Sequence, residues 1–177
     1  KISIMNLLQL NSNVEKLHFL QDYNVPAYNV FSFFSDHNRL SEVYSAIIRR
    51  LTDSNDPRNA NGLGSSRIVI AFPTIFQETI TKYIEPTLIE YKITFGSPLK
   101  NHIGTMHFID LGNGKSRLDY TIEFEPRIPK TGFFLRNLLE KQVGAAIREL
   151  AHRFEKNPNY WYGESESEGE NESEKIM

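Results

Sequence analysis

His107 and Tyr120 are the residues in this chain best suited to proton transfer. A neutral imidazole beside a phenol can act as general acid and base for enolisation or dehydration of a polyketone. Whether the two meet depends on a hairpin. Asn113-Gly114 stands between two alternating runs, a strong signal for a tight two-residue turn. If these two residues are the whole turn, partners have numbers summing to 227. His107 then faces Tyr120, Ile109 faces Leu118, Thr105 faces Ile122 and Ile103 faces Phe124, all directed inward. Asp110 with Arg117 and Phe108 with Asp119 fall on the outer face. A slip of one residue reverses the assignment. The plain alternative for His107 and Tyr120 is a hydrogen-bonded polar pair inside an apolar interior.

Glu78 shares a strand face with Phe76, Ile80 and Ile84. A carboxylate in such company needs a partner, and Arg67 on a neighbouring strand is the natural one. A structural ion pair is favoured over a ligand-orienting role. His102 follows Gly96-Ser97-Pro98 near a strand end, where it reaches either a ligand or the turn. His102 and His107 are five positions apart, so a regular strand puts them on opposite faces. Tyr91 and Val143 complete the candidate pocket, Tyr91 as a polar group and Val143 from a helix.

Other chemistries find little support. The five histidines are scattered, without a helical His-x-x-x-His pair or an Asp-rich loop, so no metal site is expected. Cysteine is absent, which excludes disulfides, thiolate ligands and a cysteine nucleophile. Gly62-Leu63-Gly64 leads into a strand, whereas phosphate-binding glycines lead into a helix. No serine sits in a Gly-x-Ser-x-Gly elbow. Nothing in the sequence requires a cofactor.

The elements that must hold these residues follow from periodicity. Val14–Tyr23 reads as a first strand. Pro26 opens a short helix with Val30, Phe31 and Phe34 on one face. Asp36 caps a second one bearing Leu40, Val43 and Tyr44. Ala46–Leu51 is a strand, and residues 52–64 hold nearly every turn former. Ser66–Phe72, Phe76–Ile84, Leu88–Phe95, Asn101–Leu111 and Ser116–Glu125 follow, with separators so short that an antiparallel meander results. Gly132–Lys156 is the one long helix, its apolar stripe made of Leu135, Leu139, Val143, Ala146, Leu150 and Phe154. Gly144 in its middle leaves room for a close strand or a ligand.

At 177 residues and 40% hydrophobic content, the chain can bury one core. The net charge of −2 hides an asymmetry, because Glu164–Lys175 alone carries −5 and the remainder balances at +3. That remainder is not basic enough to predict nucleic-acid binding. Residues 163–177, rich in Glu and Ser, read as a disordered acidic tail, and residues 1–13 as a leader of unclear role. Residues 14–160 read as the folded domain. No apolar run reaches a bilayer-spanning length and no signal peptide is evident, so a cytoplasmic protein without stable membrane insertion is expected. Phe133-Phe134 at the start of the long helix pack in the core, cover a cavity or dip into a membrane surface. Tyr160-Trp161-Tyr162 either pack back on the domain or form a partner-binding patch.

Several runs resemble the SRPBCC (START-like, helix-grip) superfamily, nearest its polyketide cyclase/dehydrase and lipid-transport branch. They are Val25-Pro26-Ala27 with Val30–Asp36, Gly62–Arg67, Glu78-Thr79-Ile80, Ile89–Pro98, Lys100–Gly104 and Gly114–Tyr120. The resemblance spans roughly residues 14–156. It departs at Gly114-Lys115-Ser116-Arg117, where the family usually reads Gly-Thr-Arg. It implies an α+β helix-grip fold, a bent antiparallel sheet of about seven strands wrapped around a long C-terminal helix, with two short helices after the first strand. A cavity between sheet and helix is expected, lined by His107, Tyr120, Tyr91, Glu78, His102, Ile103, Thr105, Ile122, Phe124 and Val143. The leading functional expectation is binding or transport of a hydrophobic small molecule such as a lipid, quinone or polyketide-like ring system. One alternative is a cyclase or dehydratase using His107 and Tyr120 as acid and base. Another is an interaction protein acting through its tail.

Overall fold

The structure is a computed structural model that describes residues 13–162. The expected leader and acidic tail fall outside the described residues, apart from residue 13. Strand β1 (Glu15–Tyr23) is followed by helix α1 (Ala27–Ser35) and a 3-10 turn at Leu40–Glu42. Then come β2 (Ile47–Thr52), β3 (Ser66–Ala71), β4 (Thr74–Ile84), β5 (Leu88–Phe95), β6 (Leu99–Gly112) and β7 (Lys115–Pro126). Helix α2 (Gly132–Lys156) and a last 3-10 turn at Tyr160–Tyr162 finish the described chain. The seven strands form one antiparallel sheet in the order β1-β7-β6-β5-β4-β3-β2. This is the α+β helix-grip architecture, a bent sheet around a long helix.

The second expected helix is only a 3-10 turn. Asp36 Oδ1 does accept the Asn38 N–H at 3.0 Å. The chain then turns to serve the sheet edge. Ser41 Oγ accepts from the Ile48 N–H at 2.7 Å and donates to the Ile48 carbonyl at 3.1 Å, and Asn38 Oδ1 accepts from the Arg50 N–H. These side chains occupy the ladder groups that edge strand β2 would otherwise leave open.

Helix α2 is buried along Val143, Ala146, Ile147, Leu150 and Phe154. The Tyr23 hydroxyl donates to the Ile147 carbonyl at 3.2 Å, fastening β1 to it. Leu135 and Leu139 continue the stripe but are only half-buried, so the first turns stand off the sheet. The expectation for Gly144 is corrected. A Cβ there would meet Arg148 of the same helix first, not a strand. After α2 the chain packs back. Tyr160 stacks on Phe33, Trp161 meets Tyr28 edge-on, and the Arg39 guanidinium lies 5.0 Å from the Phe33 ring and 4.9 Å from that of Tyr160.

The β6–β7 hairpin turns where expected, with Asn113 at φ 53 and Gly114 at φ 69. Its register is not the expected one. Asp110 pairs with Ser116 and Gly112 with Lys115, so β6 carries one extra residue, Leu111, beside Gly112 at φ 77. This bulge shifts the pairing by one residue. Met106 pairs with Tyr120, Phe108 with Leu118 and Gly104 with Ile122. The inward face of β7 is as expected, with Leu118, Tyr120, Ile122 and Phe124 all buried. The face of β6 is reversed. His107 is exposed and pairs with Asp119, Thr105 pairs with Thr121, Ile103 with Glu123 and Ile109 with Arg117, all on the outer face. A second irregularity at Asn101, φ 53, sets Asn101 and His102 together between the Lys100–Glu125 and Ile103–Glu123 pairs. It lets both Leu99 and His102 point inward.

Candidate functional site

Sheet and helix enclose a cavity of about 200 Å3. Its apolar wall comes from Phe34 of α1, Leu40 of the first 3-10 turn, Val69 of β3, Met106 of β6, and Leu135 and Leu139 of α2. Its polar end is built on four adjacent strands. Arg67 of β3 pairs across the ladder with Glu78 of β4, and Tyr91 and His102 follow on β5 and β6.

The ion pair expected from sequence is present and buried. Arg67 Nε donates to Glu78 Oε2 at 2.6 Å, with side-chain exposures of 5% and 10%. Burial works against the Arg67 charge, but Glu78 and the neighbouring tyrosines hold it above the ordinary arginine value. The guanidinium carbon lies 4.8 Å from the Tyr91 ring centre, a cation–π contact in a place sheltered from water. The Tyr91 and Tyr120 hydroxyls hydrogen-bond each other. Tyr91 can reach this position because its cross-strand partner is Gly104. A Cβ at 104 would collide with the Tyr91 ring, so glycine here makes room for a close aromatic.

Burial raises the Tyr91, Tyr120 and Tyr44 hydroxyls above the ordinary tyrosine value, so all three stay protonated. Burial lowers His102; Glu78 opposes this and Arg67 adds to it, and the net direction is down. Its ring lies 5.4 Å from that of Tyr91 and is neutral at pH 7. Two polar atoms at this end are unsatisfied. Arg67 Nη1 and His102 Nδ1 are buried and have no hydrogen-bond partner among the described residues. Such atoms are costly unless something supplies the missing bond.

Of the ten candidate residues, Tyr120, Tyr91, Glu78, His102, Ile122 and Val143 line this one cavity. Phe124 is buried in the core without lining it. His107, Ile103 and Thr105 lie on the outer face, so the inward His107–Tyr120 pair is corrected. Tyr44 and Met106 line the cavity and were not singled out as ligand residues. Arg67, for which the sequence favours a structural ion pair with Glu78 over a ligand-orienting role, also lines the cavity. Its place on an alternating strand with Val69 was the available signal. Among the described residues, no three His, Asp or Glu side chains come together to hold a metal.

Residues 20–157 match the family described as polyketide cyclase / dehydrase and lipid transport. The chain belongs to this family. Among curated proteins, none matches it by sequence. Solved structures of the same shape include a START superfamily protein from Mycobacterium smegmatis, with a TM-score of 0.68 at 16% identity, covering 80% of this chain and 97% of that one. The Zhui aromatase/cyclase from a Streptomyces species superposes with a TM-score of 0.67 at 13% identity, covering 82% and 98%. Norcoclaurine synthase from Thalictrum flavum, solved with dopamine and hydroxybenzaldehyde, gives 0.59 at 13% identity, covering 86% and 94%. At such identities the likeness concerns the fold. For this polyketide cyclase/dehydrase and lipid-transport family member, fold and family point together to hydrophobic ligand binding or cyclase chemistry. No helix among the described residues is long and apolar enough to cross a membrane.

Proposed function

We propose that the chain binds a neutral, ring-bearing hydrophobic molecule whose oxygen acceptor meets Arg67 and His102. One observation carries this reading: an apolar cavity ends on a buried guanidinium N–H and a buried imidazole nitrogen, both without partners among the described residues. A carbonyl oxygen supplies the missing acceptor for Arg67 Nη1. Glu78 already neutralises the guanidinium, so a neutral carbonyl suits the site better than a carboxylate. Size narrows the class further. The cavity of about 200 Å3 lies between the roughly 150 Å3 that accepts a benzene ring and the roughly 300 Å3 where drug-sized pockets begin. One or two fused rings fit inside, and a longer chain would emerge at the mouth.

Electrostatics favour binding over proton transfer. An acid–base catalyst works best with its pKa near the working pH. Here the tyrosines are pushed up and His102 down, away from neutrality on both sides. The buried polar groups orient a ligand in this reading and do not turn it over.

Titration with 1,4-naphthoquinone and with naphthalene tests it. The quinone is expected to bind at least about tenfold tighter, because naphthalene leaves Arg67 Nη1 unpaired. Leu139→Trp, which fills the cavity from the helix side, should abolish binding of both. Equal affinities, or binding untouched by Leu139→Trp, would overturn the reading.

A further inference from the structure

We propose that the rim of the cavity mouth is a docking face for an anionic lipid surface. Three segments meet there. The β3–β4 hairpin supplies Phe72 at its tip, 98% exposed, and Phe72 and Thr74 also line the cavity. Helix α2 supplies Leu138, which lines the cavity and is exposed, and Phe134 one turn earlier, 68% exposed. Phe133 beside it is 71% exposed. The third side is the Ser97-Pro98 corner, also part of the lining. The Arg127 N–H donates to the Pro98 carbonyl and Arg127 Nε to the Ser97 carbonyl, each at 2.8 Å. This ties Ile128 to the corner that Phe95 enters from β5, and both side chains are exposed.

Single exposed apolar residues are ordinary, but a cluster around one opening marks an interaction face. Charge selects the occupant. Residues 126–141 carry Arg127, Lys130, Arg136 and Lys141 against Glu140 alone. Aromatic side chains set among basic ones match the two layers of a membrane interface, with rings at the acyl boundary and cations among anionic headgroups. A second copy of the chain would bring the same cations face to face, which disfavours self-association through this rim. Docking needs only this surface. It rests on the proposed ligand binding for its consequence, which is that the mouth opens against the phase where a hydrophobic ligand resides.

The test is co-sedimentation of the full chain with phosphatidylcholine vesicles containing about 30% phosphatidylserine, and with phosphatidylcholine alone. The wild type should bind the anionic vesicles, with affinity falling in high salt. Phe133→Ser/Phe134→Ser, at two exposed positions outside the cavity lining, should weaken binding at least about tenfold, and Lys130→Glu/Lys141→Glu should weaken it on anionic vesicles only. These positions are exposed, so melting temperature and vesicle-free naphthoquinone binding should be unchanged. That control separates loss of docking from loss of the ligand site. A wild type that ignores both vesicle types, or variants that bind as well as the wild type, would overturn the proposal. So would a wild-type dimer that the double serine variant converts to monomer, because the rim would then belong to self-association.

Discussion

Arg67→Met is expected to destabilise the fold by about 3–5 kcal/mol, the range seen when one member of a buried ion pair is removed. Glu78 stays buried, and the lost charge-assisted bond of 2.6 Å is not replaced by water. The double variant Arg67→Met/Glu78→Leu should recover most of that loss, since apolar residues of similar volume fill the space without a stranded charge. Ligand binding separates the two effects. Both variants lose the guanidinium donor, so both should lose the preference for a quinone over its hydrocarbon. Urea unfolding of the three proteins alongside naphthoquinone titration checks this. A double variant as unstable as the single one would mean that the pair is held by something other than its mutual charge. A double variant with wild-type quinone preference would remove Arg67 from the ligand site.

Stability should fall steeply in mild acid because of His37. Its ring is 1% exposed. Burial, reinforced by Arg67 and Arg50, lowers its pKa to about 3. The fold therefore keeps the ring neutral, while the unfolded chain takes up a proton below about 6.5. The unfolded state binds more protons across that window, so stability drops as pH falls from about 6.5 toward 3 and levels off below. At pH 4 the contribution is on the order of 3 kcal/mol. His102 acts in the same direction. Urea midpoints of the wild type and His37→Phe between pH 7 and pH 4 measure the effect. The variant should lose clearly less stability over that range. Parallel curves would contradict a buried neutral ring.

The parts legible in the sequence were those set by periodicity. Helix α2 has the bounds its stripe implies, and every strand was placed to within two or three residues. The face of β7 was legible because Leu118, Tyr120, Ile122 and Phe124 alternate with polar residues. On β6 both faces carry apolar side chains, with Ile103 and Ile109 on one and Met106 and Phe108 on the other. Alternation could not choose between them, and the choice fell to the turn. The turn was correct, but the bulge at Leu111-Gly112 leaves no periodic trace, and it sent His107 outward. The rest of the site depends on atoms more than on residue types. That Arg67 spends Nε on Glu78 and leaves Nη1 free is a matter of side-chain geometry. That Tyr91 needs the space over Gly104 appears only once β5 and β6 are in register.

The most direct test of an occupied cavity is native mass spectrometry of the intact purified protein, followed by denaturation and analysis of what is released. The expected result is one equivalent of a neutral ring compound bearing a carbonyl, retained under gentle activation and absent from Leu139→Trp. If the protein instead flies without a bound molecule, and no quinone or ring ketone raises its melting temperature, the account of the cavity as a ligand site is contradicted.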